Sequence, residues 1–306
     1  MSKFKHSVWG LCLLAVSLTV LSEDQSLNED VALSKVLTKE QKQQRRIIAL
    51  APHIVESLYQ IGAGEQIIGT TDHADYPAVA ENILRVGNYA RLQIEKIIQL
   101  KPDLVIAWRT GNPADDLERL EKYGLNVIYS DPRKLADVAS ELLMLGKVTG
   151  REEMAEKYAN EYLDKLNKIS STYRDQAPIS VFYELWARPI RTVAKNAWLQ
   201  QQIELCGGAN PFAKATDDYP SVGLEQVLVT LPQVVIQPDP HSSDSPDGLN
   251  WRQWRHIPAV QHDFIFHPNP DKTHRMTGRM LDEVVIMCEQ IHTARQFYLG
   301  QKDQDK

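Results

Sequence analysis

The sequence contains one short pattern twice. The first copy, IEKIIQLKPDLVIAW, spans Ile94–Trp108, and the second, LEQVLVTLPQVVIQP, spans Leu224–Pro238. Each copy has a Glu in second place, then a short apolar pattern of helical spacing, and then a Pro followed by a β-rich run. A tyrosine stands at the same distance before each copy, at Tyr89 and at Tyr219. A chain that repeats a βα unit in this way is predicted to form two lobes on related plans.

Around both copies, short β-rich runs alternate with amphipathic helical patterns, which is typical of parallel sheets. The alternation begins with RIIAL at Arg46 and restarts with ISVFYEL at Ile179, whereas residues 133–173 between them carry no strand signal. We therefore predict an α/β protein of two Rossmann-like lobes with parallel-type sheets, joined by one long interdomain α-helix, with a ligand cleft between the lobes. Chance similarity of the two copies remains the alternative to a duplication, because βα units share patterns for physical reasons alone.

The chain is long enough for two domains of ordinary size. The predicted segments, in order, are a signal peptide (1–22), a flexible leader (23–44), an N-terminal α/β lobe (45–149), an interdomain helix (150–174), a C-terminal α/β lobe (175–298) and a polar tail (299–306). The final helix of the second lobe is expected from about Gly278 to Gln296.

The N-terminus has the features of a secretory signal. Lys3 and Lys5 precede an apolar run without a charge, Val8–Leu21. That run is too short to span a bilayer comfortably, and small residues at Val20 and Ser22 predict cleavage near Ser22. We therefore expect an exported protein, with an uncleaved membrane anchor as the alternative.

Export also determines how the cysteines are interpreted. Cys12 leaves with the signal, so the mature chain keeps Cys206 and Cys288 in an oxidising compartment. Each lies in a helical pattern, and we predict a structural disulfide that holds the last helix to the second lobe. Two buried free thiols remain the alternative.

Composition and motifs disfavour several classes of function. The formal net charge of −6 argues against a nucleic-acid partner. The sequence has no G-x-S-x-G, and GAGEQIIG lacks the G-x-G-x-x-G spacing of a dinucleotide site. A protein that binds without catalysis is therefore expected, and an enzyme on the same scaffold is the competing class. Four histidines near strand ends leave a zinc or manganese site as a further alternative: His53, His73, His267 and His274.

The loops that follow the predicted strands are rich in aromatic side chains. Ligands of parallel α/β sheets bind outside the carboxyl ends of the strands. Aromatic rings there would suit a large flat ligand, since they contribute apolar area at little entropic cost. The candidate ligand-binding residues are His73, Tyr89, Trp108, Trp186, Tyr219, Asp271 and Arg275. For each aromatic taken singly, core packing is the alternative.

Glu95 and Glu225 occupy matching positions in the two copies, each at the start of a predicted helix. A carboxylate stabilises a helix N-terminus, and this alone would explain both residues. Two matching carboxylates, one on each lobe, would also suit a partner with paired basic residues, such as a two-fold symmetric membrane protein. The two interpretations are compatible.

Four segments carry a resemblance to a known family. They are DYP (Asp75–Pro77), LKPDLVIAWR-x-GN (Leu100–Asn112), ELCGG (Glu204–Gly208) and LEQVL (Leu224–Leu228). With them, the stretch from Arg46 to about Gln296 resembles the periplasmic cobalamin-binding proteins of bacterial ABC importers. These belong to the substrate-binding proteins with one rigid interdomain helix. The resemblance implies a monomeric carrier that binds cobalamin or another corrinoid as cargo, holds no cofactor or metal of its own, and delivers the cargo to a membrane permease.

The resemblance also implies roles for the candidate ligand-binding residues. Trp108 would line the corrin pocket, and Tyr89 and Tyr219 stand where the family has Trp. Asp271 and Arg275 match a polar pair near the ligand.

Two further pairs of residues match the family. Cys206 and Cys288 match its disulfide cysteines, and Glu95 and Glu225 match the glutamates that dock onto arginines of the permease.

His73 is the main departure from the family, which has a Tyr at this position. An imidazole could coordinate the cobalt of a corrinoid or the iron of a haem. A haem or a ferric siderophore therefore remains an alternative ligand.

Overall fold

The computed structural model describes residues 45–238 and 248–304. The predicted signal peptide and leader lie outside these residues. Within the part described, none of the helices combines the length and the apolar composition needed to cross a bilayer.

The first lobe is built on a parallel sheet of four strands: β1 (Ile47–Ala49), β2 (Ile67–Thr70), β3 (Leu104–Trp108) and β4 (Val127–Ser130). Its helices are α1 (Pro52–Gln60), α2 (Ile94–Gln99), α3 (Ala114–Lys122) and α4 (Asp137–Thr149). Pro52 occupies the first turn of α1, where its missing N–H costs nothing. Ile54 and Leu58 of the same helix are buried in the core, so α1 is fixed directly behind the end of β1.

A long helix, α5 (Glu152–Tyr173), follows the first lobe. Gly150, in the left-handed conformation with φ of 70°, ends α4 and reverses the chain. At Gly146 a Cβ atom would lie 2.3 Å from the Cβ of Ala155, so only glycine allows α4 and α5 to pack this closely. The reversal and the close contact therefore fix the direction in which α5 leaves the first lobe.

The second lobe repeats the plan of the first. Its strands are β5 (Ile179–Tyr183), the antiparallel pair β6 (Trp186–Ala187) and β7 (Ile190–Arg191), then β8 (Gly208–Ala209), β9 (Val234–Ile236) and β10 (Ile265–Phe266). Its helices are α6 (Trp198–Leu205), α7 (Leu224–Val229), α8 (Pro258–Gln261), α9 (Pro270–Thr273) and α10 (Met280–Gln304). Helix α10 continues beyond Gln296, where the sequence pattern predicted its end.

The two sheets share one strand order. Across the first sheet the order is β2-β1-β3-β4, and across the second it is β8-β5-β9-β10, which is the same order in terms of chain sequence. The two repeat copies fold into α2–β3 and α7–β9. Lys101 and Leu231, at the same position of each copy, have φ of 45° and 46°, an uncommon conformation for residues other than glycine. The predicted fold class is confirmed, and the matched turns support the duplication.

The last helix is held to the second lobe by covalent and polar contacts. Cys206 and Cys288 are both buried and form a disulfide, which confirms the prediction. Beside it, the buried side chain of Arg295 donates from Nη2 to the carbonyl oxygens of Cys206 (2.7 Å) and Gly207 (3.1 Å). These carbonyls belong to the C-cap of α6 and the residue after it, so Arg295 ties the last helix to the end of α6.

Loss of the disulfide is expected to lower the free energy of unfolding by about 3–4 kcal/mol. The bridge joins residues 82 positions apart, and a crosslink over a long loop restricts the unfolded chain most. Denaturant unfolding of the double variant Cys206→Ala with Cys288→Ala, measured against the oxidised wild type, checks this. A decrease below about 1 kcal/mol would contradict a structural role for the bridge.

Candidate functional site

Trp108 ends β3 at the carboxyl edge of the first sheet, where its ring is half-buried. Its backbone N–H donates to Asn112 Oδ1 (2.7 Å), and the Asn112 amide in turn donates to the carbonyl of Leu50 after β1 (2.8 Å). The ring lies over Gly111, where a Cβ would be 1.9 Å from Trp108 Cε3. The sequence W-R-T-G-N thus fixes an indole at the ends of β1 and β3.

His53 lies beneath this indole. It is 5 % exposed, and its ring meets that of Trp108 edge to face at 5.3 Å between centroids. His53 Nε2 is hydrogen-bonded to Ser130 Oγ at the end of β4 (3.0 Å). Burial, and secondarily the positive charge of Arg275, lowers the pKa of His53 to about 3. The imidazole is therefore neutral and forms a fixed support for Trp108.

This low pKa predicts a pH dependence of stability. The folded pKa lies below the unfolded value of about 6.5. The unfolded chain therefore binds the additional proton, and stability falls as the pH decreases from 6.5 towards 3. From pH 7 to pH 5, His53 is expected to reduce the free energy of unfolding by about 2 kcal/mol. Urea unfolding of wild type and His53→Gln across this range checks it, and an equal slope in the two proteins would contradict it.

Two connected loops of the first lobe lie between β2 and α2. His73 is exposed and has φ of 64°, and the backbone N–H of the neighbouring Asp72 donates to the carbonyl of Gly87 (3.0 Å). Asn88 then closes a tight turn by accepting the N–H groups of the two residues that follow Tyr89. Tyr89 lies at the tip of this turn with 76 % of its surface exposed. This tyrosine is therefore open to contact a ligand.

The second lobe presents tyrosines at corresponding strand ends. Tyr183, the last residue of β5, is fully buried, and its hydroxyl is 2.9 Å from His274 Nε2. Burial raises the pKa of Tyr183, so the hydroxyl stays protonated. Tyr219 is 37 % exposed, and its pKa is also raised by burial. Trp186 stands on the β6–β7 hairpin, 57 % exposed, with the Arg191 guanidinium 5.6 Å from its ring.

Arg275 connects the lobes. Its Nη1 donates to Glu56 Oε1 of α1 (2.8 Å) and to Asp75 Oδ1 (2.7 Å). Its Nη2 donates to the backbone carbonyl of His73 (3.2 Å) and to Asp271 Oδ1 (3.2 Å). These contacts join loops that follow strands of both sheets, so the carboxyl edges of the two sheets face each other.

Arg279, four residues further on and directly before α10, reinforces the same contact. It donates from Nε and Nη2 to the two oxygens of Glu56 (2.9 and 2.7 Å). Its guanidinium also lies 3.5 Å from the centre of the Tyr76 ring. We refer to Glu56, Asp75, Arg275 and Arg279 as the interlobe clasp.

The structure brings together only some of the candidate residues. His73, Asp271 and Arg275 are joined by the hydrogen bonds of Arg275, whereas Trp108 packs against His53 at the ends of β1 and β3. Tyr219 and Trp186 lie on adjoining segments of the second lobe, because the N–H of Thr192 after β7 donates to the carbonyl of Pro220 (3.1 Å). Glu95 and Glu225 lie in the first turns of α2 and α7, and both are exposed. Glu95 pairs with Arg119 (3.4 Å).

Three buried side chains near the candidate site were not predicted from the sequence in their present roles. His53 was noted only as a metal candidate, whereas it supports Trp108. Tyr183 was not singled out within its predicted strand. Glu56 lies on the apolar face of α1, and a lone carboxylate in an apolar stripe was the signal that could have identified a buried ion pair.

The histidines do not assemble as metal ligands in the described part of the chain. His267 Nδ1 is hydrogen-bonded to the carbonyl oxygen of Gln237 (2.8 Å), while His53 and His274 contact Ser130 and Tyr183. No group of three or more histidine, cysteine or acidic side chains is close enough to hold an ion among these residues.

A cavity of about 470 Å³ lies elsewhere, between α1, α5 and the start of α10. Its walls include Tyr59, Tyr158 and the ion pair of Lys165 with Asp282. It borders the clasp through Glu56 and Arg279, and its lining does not include Trp108 or Tyr219. The carboxyl ends of the strands, where Trp108 presents its half-buried ring, are the better candidate for a large ligand, because parallel sheets bind ligands there.

Comparison with known proteins gives a consistent picture. Residues 47–271 match the family model described as periplasmic binding protein. The vitamin B12-binding protein of Vibrio campbellii is 37 % identical over 253 residues, covering 82 % of this chain and 91 % of the relative. The crystal structure of the periplasmic vitamin B12 binding protein BtuF of Vibrio cholerae matches with a TM-score of 0.76 at 36 % identity, covering 82 % of this chain and 98 % of that one. The periplasmic heme-binding protein HutB of Vibrio cholerae shares the fold, with a TM-score of 0.70 at 18 % identity over 81 % of this chain and 99 % of that one.

The resemblance inferred from the sequence is therefore confirmed, and so is the periplasmic location. This family consists of substrate-binding proteins rather than enzymes. With a family model that covers most of its length and relatives at more than a third identity, the chain belongs to the periplasmic binding protein family.

Proposed function

We propose that the chain captures cobalamin or a related corrinoid between its lobes and delivers it to the permease of an ABC importer. The half-buried indole of Trp108, held by His53, Asn112 and Gly111 at the edge of the cleft, carries this proposal. A rigid flat apolar surface suits a macrocycle. The vitamin B12-binding relatives support this ligand over others.

Within this proposal, the aromatic side chains provide contact area, and the polar groups near them orient the amide side chains of the corrin. Tyr89 and Tyr219 keep flat faces where the family has Trp. Asp271 lies at the rim with one oxygen held by Arg275. Trp186 would contribute from the hairpin of the second lobe.

The protein works as a monomer and catalyses no reaction on its cargo. Residues 45–149 and 175–298 act as the two lobes, with 150–174 as the helix between them. Cleavage after a signal at residues 1–22 would leave a leader at 23–44, and 299–306 would form the tail.

The permease contacts are assigned to Glu95 and Glu225. They stand at matched positions of two lobes with the same strand order, so a two-fold symmetric partner can meet both in the same way. Both carboxylates are solvent-exposed, which makes them accessible to arginines of a partner.

Titration of the purified mature protein with cyanocobalamin, followed by tryptophan fluorescence and calorimetry, tests the ligand. Saturable one-to-one binding with quenching of indole emission is expected. Haem is the competing ligand, because exposed His73 could coordinate iron. Tight binding of haem that is lost in His73→Ala, without binding of cyanocobalamin, would overturn the corrinoid assignment.

A further inference from the structure

Helix α1 carries a buried carboxylate whose charge is neutralised from the opposite lobe. Glu56 is 4 % exposed, on a helix whose neighbouring side chains pack into the apolar core. It accepts one hydrogen bond from Arg275 and two from Arg279, all between 2.7 and 2.9 Å. Both guanidinium groups belong to the second lobe. The interaction therefore exists only while the lobes keep their present spacing.

The energetic asymmetry of such a contact is large. A buried carboxylate that loses its partners is left desolvated, and breaking a buried pair costs far more than an exposed pair contributes. Bidentate hydrogen bonds between a guanidinium group and a carboxylate also fix the relative orientation of the two groups. If one lobe moved by a few ångströms, the buried carboxylate of Glu56 would lose its two positively charged partners. The interlobe clasp therefore raises the free energy of any other lobe spacing.

Tyr76 and Asp75 further stabilise the contact between Glu56 and the two arginines. The ring of Tyr76 covers the face of Arg279, while Asp75 accepts a second bond from Arg275. Burial by itself would raise the pKa of the Asp75 carboxyl, but the hydrogen bond and charge of Arg275 outweigh it and lower the pKa. Asp75 thus remains ionised and paired across the cleft.

The clasp is continuous with the proposed ligand site. Arg275 also holds the carbonyl of His73 and the carboxylate of Asp271, which are both cleft residues. The spacing of the two lobes and the position of the rim groups are consequently set by one cluster.

We propose that Glu56 is a positioning residue for ligand capture: through Arg275 and Arg279 it holds the free protein with its lobes already at the spacing that admits the ligand. This inference rests on the proposed function of the cleft. Binding to a preorganised cleft does not require ordering of the lobes. If only a fraction of the free protein has the competent spacing, the apparent Kd rises by the inverse of that fraction.

The first test needs no ligand. Spin labels on Tyr123→Cys in the first lobe and Val229→Cys in the second, both exposed positions, report the lobe spacing as a distance distribution. One narrow distribution is expected with the clasp intact, and a broad or shifted one with Glu56→Gln. The matched control, Asp263→Asn, removes a carboxylate from an exposed pair with Arg252 within the second lobe and is expected to change nothing.

The second test measures cyanocobalamin binding kinetics. Glu56→Gln is expected to lower the association rate about tenfold if the competent fraction falls to about a tenth, with the dissociation rate unchanged. A role limited to folding would leave both rates of the folded fraction unaltered. A direct ligand contact would instead raise the dissociation rate.

Asp75→Asn provides the variant that preserves folding, since this side chain is 44 % exposed. It removes the ion pair between Asp75 and Arg275. The spin-label distance distribution and the association rate should both change in the same direction as in Glu56→Gln, but less. An unchanged distance distribution in both variants would overturn the proposal. If cyanocobalamin fails to bind the wild type, the proposed function falls, while the ligand-free distances still decide whether the clasp sets the spacing.

Discussion

Replacing Trp108 by alanine is expected to weaken cyanocobalamin binding by about 30-fold to 150-fold. A large aromatic anchor in a well-packed site contributes roughly 2–3 kcal/mol, and each 1.4 kcal/mol is a factor of ten in Kd. The ring is fixed before the ligand arrives by His53 and Gly111. Its removal therefore eliminates a preformed surface, and the loss should appear mainly as faster dissociation.

Calorimetric titration of wild type, Trp108→Ala and Trp108→Phe measures the effect. Trp108→Phe retains a flat face and should lose only a small part of the affinity. Tyr123→Ala removes an exposed aromatic side chain at the end of α3, away from the strand ends, and serves as the control. Equal affinity of wild type and Trp108→Ala would place the ligand elsewhere on the protein.

Removing both docking carboxylates is expected to abolish transport without changing ligand affinity. Glu95→Ala with Glu225→Ala takes one exposed charge from each lobe, and neither residue contacts the cleft groups around Trp108 or Arg275. Complementary charge mainly governs association and register with a partner, so the permease should lose recognition of the carrier. Each single variant should reduce uptake less than the double variant.

The control double variant, Glu153→Ala with Glu156→Ala, removes the same number of exposed carboxylates from α5. Uptake of labelled cobalamin into cells that depend on the introduced carrier is measured beside the Kd of each purified protein. Loss of cobalamin affinity in the Glu95 and Glu225 variant, or full uptake by it, would contradict the docking assignment.

The repeated βα unit explains why so much of the fold could be predicted. Local patterning determines where α2 and α7 begin and where β3 and β9 follow, and two related units imply two sheets of one topology. The uncommon backbone conformation of Lys101 and Leu231 had no such signal, since nothing in either side chain requires a positive φ.

The candidate site could be predicted only in part. Strand-end position located Trp108, Tyr219 and the loop of His73, because ligand sites of parallel sheets follow from topology. The clasp could not be inferred in the same way. Glu56 and Arg275 are separated by 219 residues, and their pairing depends on how the lobes meet rather than on any local pattern. Similarly, the helical pattern near Gln296 gave no end signal, and α10 continues to Gln304.

The most direct measurement of the central claim is a crystal structure of the mature protein grown with saturating cyanocobalamin. One corrin ring is expected between the lobes, and the side chains of Trp108 and Tyr219 should each be in van der Waals contact with it, at about 4 Å. The clasp between Glu56 and the two arginines should be intact. A corrin bound at the cavity beside α5 or on an outer face would contradict the account, as would crystals whose cleft holds no corrinoid.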